Sequence, residues 1–220
     1  MNWKKTVFLN FNLYAVTDIP GPDARILDKI EQAYRGGADI VQLRSKALSD
    51  AELYRLGLAI RPLADRYQKL FFINDRVDLA LACQADGVHL GQDDMPVGAA
   101  RAMAERHGAE FWIGKSTHSI EQALEAAGEG ADYIGVGPVY ATPTKPGRPA
   151  VGLELVKAVS QKVKIPFVAI GGIHGQNIRE VLAAGASRVA VVRAIFSSED
   201  IYESTQRLRN KIESCLATRH

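Results

Sequence analysis

The chain has 220 residues, 47% of them hydrophobic, and a formal net charge of +2. That is enough apolar material for one sizeable core, so residues 1–220 are expected to form a single domain, and the near balance of charge excludes a general nucleic-acid binder. The two cysteines, Cys83 and Cys215, lie far apart without Cys-x-x-Cys spacing, which argues against a disulfide framework or a zinc site and for a reducing, cytoplasmic setting.

At the N-terminus, the positive charge of Met1–Lys5 precedes apolar residues as in a signal peptide, but Asn10 and Asn12 interrupt the run too early. No stretch reaches the roughly 18 apolar residues of a membrane span, so no membrane partner is expected. Leu13–Val16 reads as a short strand, and Pro20–Pro22 turns the chain into a helix carrying Ile26, Leu27, Ile30 and Ala33 that Gly36-Gly37 stops. Asp39–Leu43 is a second strand. Ser49 and Glu52 then have capping-box spacing at the start of the next helix.

Leu70–Ile73 is a third strand, followed by a short helix through Val77, Leu79 and Ala80. Asp86–Leu90 is a fourth, and Pro96 opens the helix that closes near Gly108. Phe111–Ile113 predicts a fifth strand with Gly114–His118 as its loop, and Ser119 with Gln122 again has capping-box spacing. Tyr133–Val136 is the sixth strand, Leu153, Val156 and Val159 mark a helix, and Phe167–Ile170 is the seventh strand, ended by Gly171-Gly172. Gly175–Ala184 is a helix, Arg188–Val192 the eighth strand, and Ser197 or Ser198 the cap of a last helix running to about Cys215.

The units echo one another. Gly37-Ala-Asp39, Ala85-Asp-Gly87, Gly130-Ala-Asp132 and Gly185-Ala-Ser187 each join a helix stop to a buried strand. Apolar strands alternating with helices imply parallel pairing covered on both faces, and eight units close into a (β/α)8 TIM barrel. An open doubly wound sheet would carry Gly-x-Gly-x-x-Gly after its first strand, which is absent after Val16.

In such a barrel the loops after the strands form one surface, so their residues can be pooled. Asp75 and Asp94 end neighbouring strands, and paired carboxylates suit Mg²⁺, which takes one or two of them and leaves room for phosphate oxygens. Arg44, Lys46 and Lys145 add positive charge, and together these groups describe a diphosphate clamp. In the loop after strand six, the hydroxyls of Thr142 and Thr144 sit beside Lys145, with Pro143 and Pro146 stiffening the backbone. Gly171-Gly172 and the turn after Val192 follow strands seven and eight, where backbone N–H groups commonly hold a phosphate. A diphosphate on one side and a monophosphate on the other imply two small-molecule substrates.

Taken together, Gln42-Leu-Arg-Ser-Lys46, Asn74-Asp75, Gly87–Asp94, Gly114-Lys-Ser116, Asp132–Pro138, Thr142–Lys145 and Ala169–Ile173 closely resemble the thiamine-phosphate synthase family, in the expected order from about Leu13 to Ile195. The resemblance implies an Mg²⁺-dependent transferase that joins a hydroxymethylpyrimidine diphosphate to a thiazole phosphate, giving thiamine phosphate and pyrophosphate. It implies that Gln42, Leu43, Arg44, Ser45, Lys46, Asn74, Ser116 and Lys145 contact the pyrimidine diphosphate, with Arg44, Lys46, Lys145 and Ser116 catalytic. Asp75 and Asp94 would hold the metal, the family pattern alone favouring Asp94 over Asp93. Thr142, Pro143, Thr144, Gly172, Val192 and Arg193 would hold the thiazole phosphate. Arg193 departs from the Ser found in many members, so there only the backbone N–H contact is shared.

On this reading the carbon–oxygen bond breaks largely before the thiazole nitrogen attacks, and no protein nucleophile is needed. Two other readings are a thiazole tautomerase on the same barrel, with His118 as acid/base, and a non-catalytic barrel that binds a phosphate ligand. The diphosphate groups have no task in a proton transfer, and turnover separates the enzyme from the binder. The pattern leaves the oligomeric state open.

Overall fold

Alternation along each short strand sorts the side chains into two layers. In the first strand, β1 (Leu13–Val16), Leu13 and Ala15 pack outward among helix residues while Tyr14 and Val16 point into the barrel interior. The computed structural model describes residues 2–108, 110–144 and 147–218. Its further strands are β2 (Ile40–Leu43), β3 (Leu70–Asn74), β4 (Gly87–Leu90), β5 (Trp112–Thr117), β6 (Tyr133–Val136), β7 (Phe167–Ile170) and β8 (Val189–Val191). All eight pair in parallel with their sequence neighbours, and β8 closes on β1, giving the expected TIM barrel.

The helices are α1 (Trp3–Asn10), α2 (Ile26–Arg35), α3 (Asp50–Arg66), α4 (Val77–Ala82), α5 (Val97–Arg106), α6 (Ile120–Gly128), α7 (Gly152–Lys162), α8 (Ile178–Ala183), α9 (Arg193–Phe196) and α10 (Ile201–Ala217). The capping box that starts α3 is present in full, and the Ser119 side chain accepts from Gln122 N at the start of α6. None of these helices is long and apolar enough to cross a membrane.

Four features differ from the sequence reading. First, β5 extends through Gly114–Thr117, so Lys115 and Ser116 are strand residues. Backbone pairing with β4 at Lys115 and with β6 at Ser116 and Thr117 overrides the loop-like composition. Second, the N-terminal residues form α1, which closes the lower end of the barrel: Phe8 stacks on Trp112 with ring centroids 4.6 Å apart. Third, a short helix, α9, follows β8 directly. Fourth, α10 is capped by Asp200, whose side chain accepts from Glu203 N, rather than by Ser197 or Ser198.

The recurring helix-stop motif has a second purpose. Asp39 accepts from the backbone N–H groups of Asn12 and Leu13 at the start of β1, Asp86 from Phe71 N in β3, and Asp132 from Ile113 N in β5. Each carboxylate therefore pins the strand before its own. Each is also matched by cations: Lys69 and Arg209 at Asp39, Arg61 and Lys4 at Asp86, and Arg101 at Asp132. Burial would raise the Asp39 pKa, but Lys69, the Asn12 N–H and Arg209 together hold it below its ordinary value of 3.8. Ser187 replaces the fourth Asp, and Arg188 beside it lies over the Phe11 ring at 5.2 Å instead of meeting a carboxylate.

Candidate active site

A cavity of about 460 Å³ opens at the carboxyl ends of the strands. Inward parity decides which residues reach it. Along β2 and its extension, Gln42 and Arg44 line the wall, whereas Leu43 lies in the outer core beneath the helices. Ser45 turns away to donate to Ile19 O at 2.7 Å, and its oxygen accepts from Ala47 N and Leu48 N. Lys46 is exposed and outside the lining. Asn74 of β3 and Ser116 of β5 face inward, as do His89, Tyr133 and Gly135.

On the other side of the barrel, Thr142, Pro143 and Thr144 after β6, Gly172 after β7, and Val192 and Arg193 after β8 line the same cavity. The glycine pair after β7 serves packing and lining together. Gly171 and Gly172 adopt φ of +101° and +66°, and a Cβ on Gly171 would stand 2.4 Å from Pro138. Asn177, which sequence reasoning missed, holds this turn by donating to Gly172 O and accepting from His174 N. Lys145 lies outside the described residues.

Arg44 is buried yet lines the cavity, and its guanidinium is paired with Asp18. Arg193 is exposed at the rim, and among the described residues no carboxylate lines the wall. The cavity thus offers an anion two guanidinium groups and several hydroxyls, with Asp18 behind Arg44 as that guanidinium's partner and no carboxylate on the described wall itself. Asp75 and Asp94 follow β3 and β4, which are adjacent, and Asp75 N donates to His89 O at 2.8 Å. Neither lines the cavity. Asp94 Oδ2 accepts from Gly91 N at 2.6 Å, and Asp75 is exposed with φ of 63°. Among the described residues, no three His, Cys, Asp or Glu side chains group as a metal cage. Asp75 and Asp94 thus follow adjacent strands, and both are oxygen donors of the kind Mg²⁺ takes, but they do not share the described cavity wall.

On the cavity floor, two groups that the sequence reading left out, Tyr14 and Tyr133, join Gln42, His89 and Ser116. Gln42 Nε2 donates to Tyr14 Oη at 2.7 Å, Tyr14 Oη meets Tyr133 Oη at 3.1 Å, Tyr133 Oη meets His89 Nδ1 at 3.0 Å, and His89 Nε2 meets Ser116 Oγ at 2.9 Å. Gly114 makes room for this arrangement, because a Cβ there would stand 2.2 Å from the Tyr133 ring. The available signal was strand parity: Tyr14, Gln42, His89 and Ser116 all fall on inward positions. His118, the acid/base candidate of the tautomerase reading, engages the Gly137 carbonyl through Nδ1.

Fold and cavity define a (β/α)8 barrel with an arginine- and hydroxyl-lined cavity at the carboxyl ends of its strands. The family profile for thiamine monophosphate synthase matches residues 13–195, and the chain belongs to that family. It is 49% identical to a thiamine-phosphate synthase of Gloeobacter violaceus over 86% of this chain and 53% of that protein. It is 44% identical to one of Pyrococcus horikoshii over 98% of this chain and 100% of that protein. The chain thus spans about half the length of the Gloeobacter relative. A solved thiamine phosphate pyrophosphorylase from Pyrococcus furiosus superposes with a TM-score of 0.84 at 41% identity, covering 94% of this chain and 97% of that one.

Proposed function

We propose that this barrel is a transferase that condenses 4-amino-2-methyl-5-(diphosphooxymethyl)pyrimidine with 4-methyl-5-(2-phosphooxyethyl)thiazole to thiamine phosphate and pyrophosphate. The observation that carries the reading is the convergence of Gln42, Arg44, Asn74 and Ser116 with Thr142–Thr144, Gly172, Val192 and Arg193 on one cavity. Family membership supplies the two substrates.

Arg44, already buried on the cavity wall, receives the departing diphosphate, and the family resemblance adds Lys46 and Lys145 as further cations. Asp75 and Asp94 would hold Mg²⁺, which supplies charge neutralisation of the leaving group when bound. Gln42 and Ser116 hold the pyrimidine ring, whose amino group delocalises the cation left as the carbon–oxygen bond breaks. The Thr142–Thr144 loop, the Gly172 turn and the Val192–Arg193 turn at the start of α9 hold the thiazole phosphate, so that the thiazole nitrogen meets that cation. Here positioning and fixed charge do the catalysis, and no covalent enzyme intermediate forms.

Pyrophosphate release measured with each substrate alone and with both together tests this reading. Release should require both substrates and divalent cation. Release from the pyrimidine diphosphate alone at the same rate, or none with both, contradicts it. Isomerisation of a thiazole carboxylate without release would favour the tautomerase.

A further inference from the structure

The chain from Gln42 to Ser116 crosses five strands, and each interior member is shared between two hydrogen bonds. A hydroxyl has one proton, and a neutral imidazole carries one proton on two nitrogens, so the direction of one bond fixes the next. Only two states place the proton of every hydroxyl and of the imidazole in one of these bonds or, at Ser116, at the open end of the chain. In the first, the Gln42 amide donates to Tyr14, Tyr14 to Tyr133 and Tyr133 to His89 Nδ1, and His89 Nε2–H donates to Ser116. The cavity then meets the Gln42 carbonyl and the Ser116 O–H. In the second, every bond reverses, and the cavity meets the Gln42 NH₂ and a Ser116 lone pair. Burial raises the pKa of both tyrosines well above the ordinary value, so both hydroxyls keep their protons.

We propose that Tyr133 is a positioning residue that couples the donor and acceptor faces of Gln42 and Ser116, so that the cavity floor selects an amino-substituted pyrimidine over its oxo counterpart. This rests on the pyrimidine reading of the cavity. A ring amine needs an acceptor and its neighbouring ring nitrogen a donor, which the first state offers together; a ring carbonyl beside N–H needs the reverse. Coupling makes the floor one switch instead of two independent groups, and His89 records its setting as a tautomer.

The test compares wild type with Tyr133→Phe and Tyr14→Phe, which break the chain at different links while keeping the ring packing. Two readouts apply: the His89 tautomer by ¹⁵N NMR, and dissociation constants for 4-amino-5-hydroxymethyl-2-methylpyrimidine and its 4-oxo analogue. Wild type saturated with the amino ring should show one Nε2–H tautomer. Both variants should show mixed tautomers and lose about tenfold of the amino-over-oxo preference. A wild type that binds the amino ring with His89 protonated at Nδ1, or variants with an unchanged tautomer and preference, overturns the coupling alone. A wild type that binds neither ring overturns the pyrimidine reading and the coupling with it.

Discussion

Arg44 is the buried cation on the described wall of the cavity, and the Arg44→Ala variant should lose about 10²- to 10³-fold in kcat/KM for the pyrimidine diphosphate, read by pyrophosphate release, with its unfolding midpoint little changed. The same stretch shows how legible the site was. Gln42–Lys46 is continuous in sequence, but a strand sends alternate side chains to opposite faces, so Gln42 and Arg44 enter the cavity while Leu43 and Ser45 leave it. Residue types suggested an anion site, and parity decided which members of the stretch reach the cavity. Pooling the strand-end residues ignored parity, and for that reason Tyr14 and Tyr133 went unseen: each looked like an ordinary buried aromatic at a strand position.

Among the elements, the eight strands were readable because each is a short apolar run bounded by turn residues, and the extension of β5 was not because its pairing comes from neighbours distant in sequence. α1 was equally hidden, since its apolar residues find their partner only inside a closed barrel. Phe8→Ala should cost about 3 kcal/mol in urea unfolding, as the ring stacked on Trp112 is lost from the plug. At the same end, Asp86 is buried between Arg61, Lys4 and the Phe71 N–H. Asp86→Asn should destabilise the barrel by about 3 kcal/mol and leave kcat unchanged, because the charge it strands lies at the opposite end from the cavity.

For the molecule as a whole, that separation sets the response to pH. Asp39 has a folded pKa below 3.8, so its contribution to stability is complete above that value and is lost as pH falls through the folded value. Urea midpoints should therefore drop as pH is lowered below about 4, and Asp39→Asn should flatten that part of the profile from an already lower plateau. The two ends meet in one ring. Tyr133 packs edge-on against Phe8, with centroids 6.1 Å apart, from the helix that stoppers the barrel, while its hydroxyl belongs to the cavity floor. A bulky fusion joined just ahead of α1 would accordingly detune catalysis before it melted the fold, and warming should blunt substrate discrimination at temperatures where the far-ultraviolet dichroism is still native.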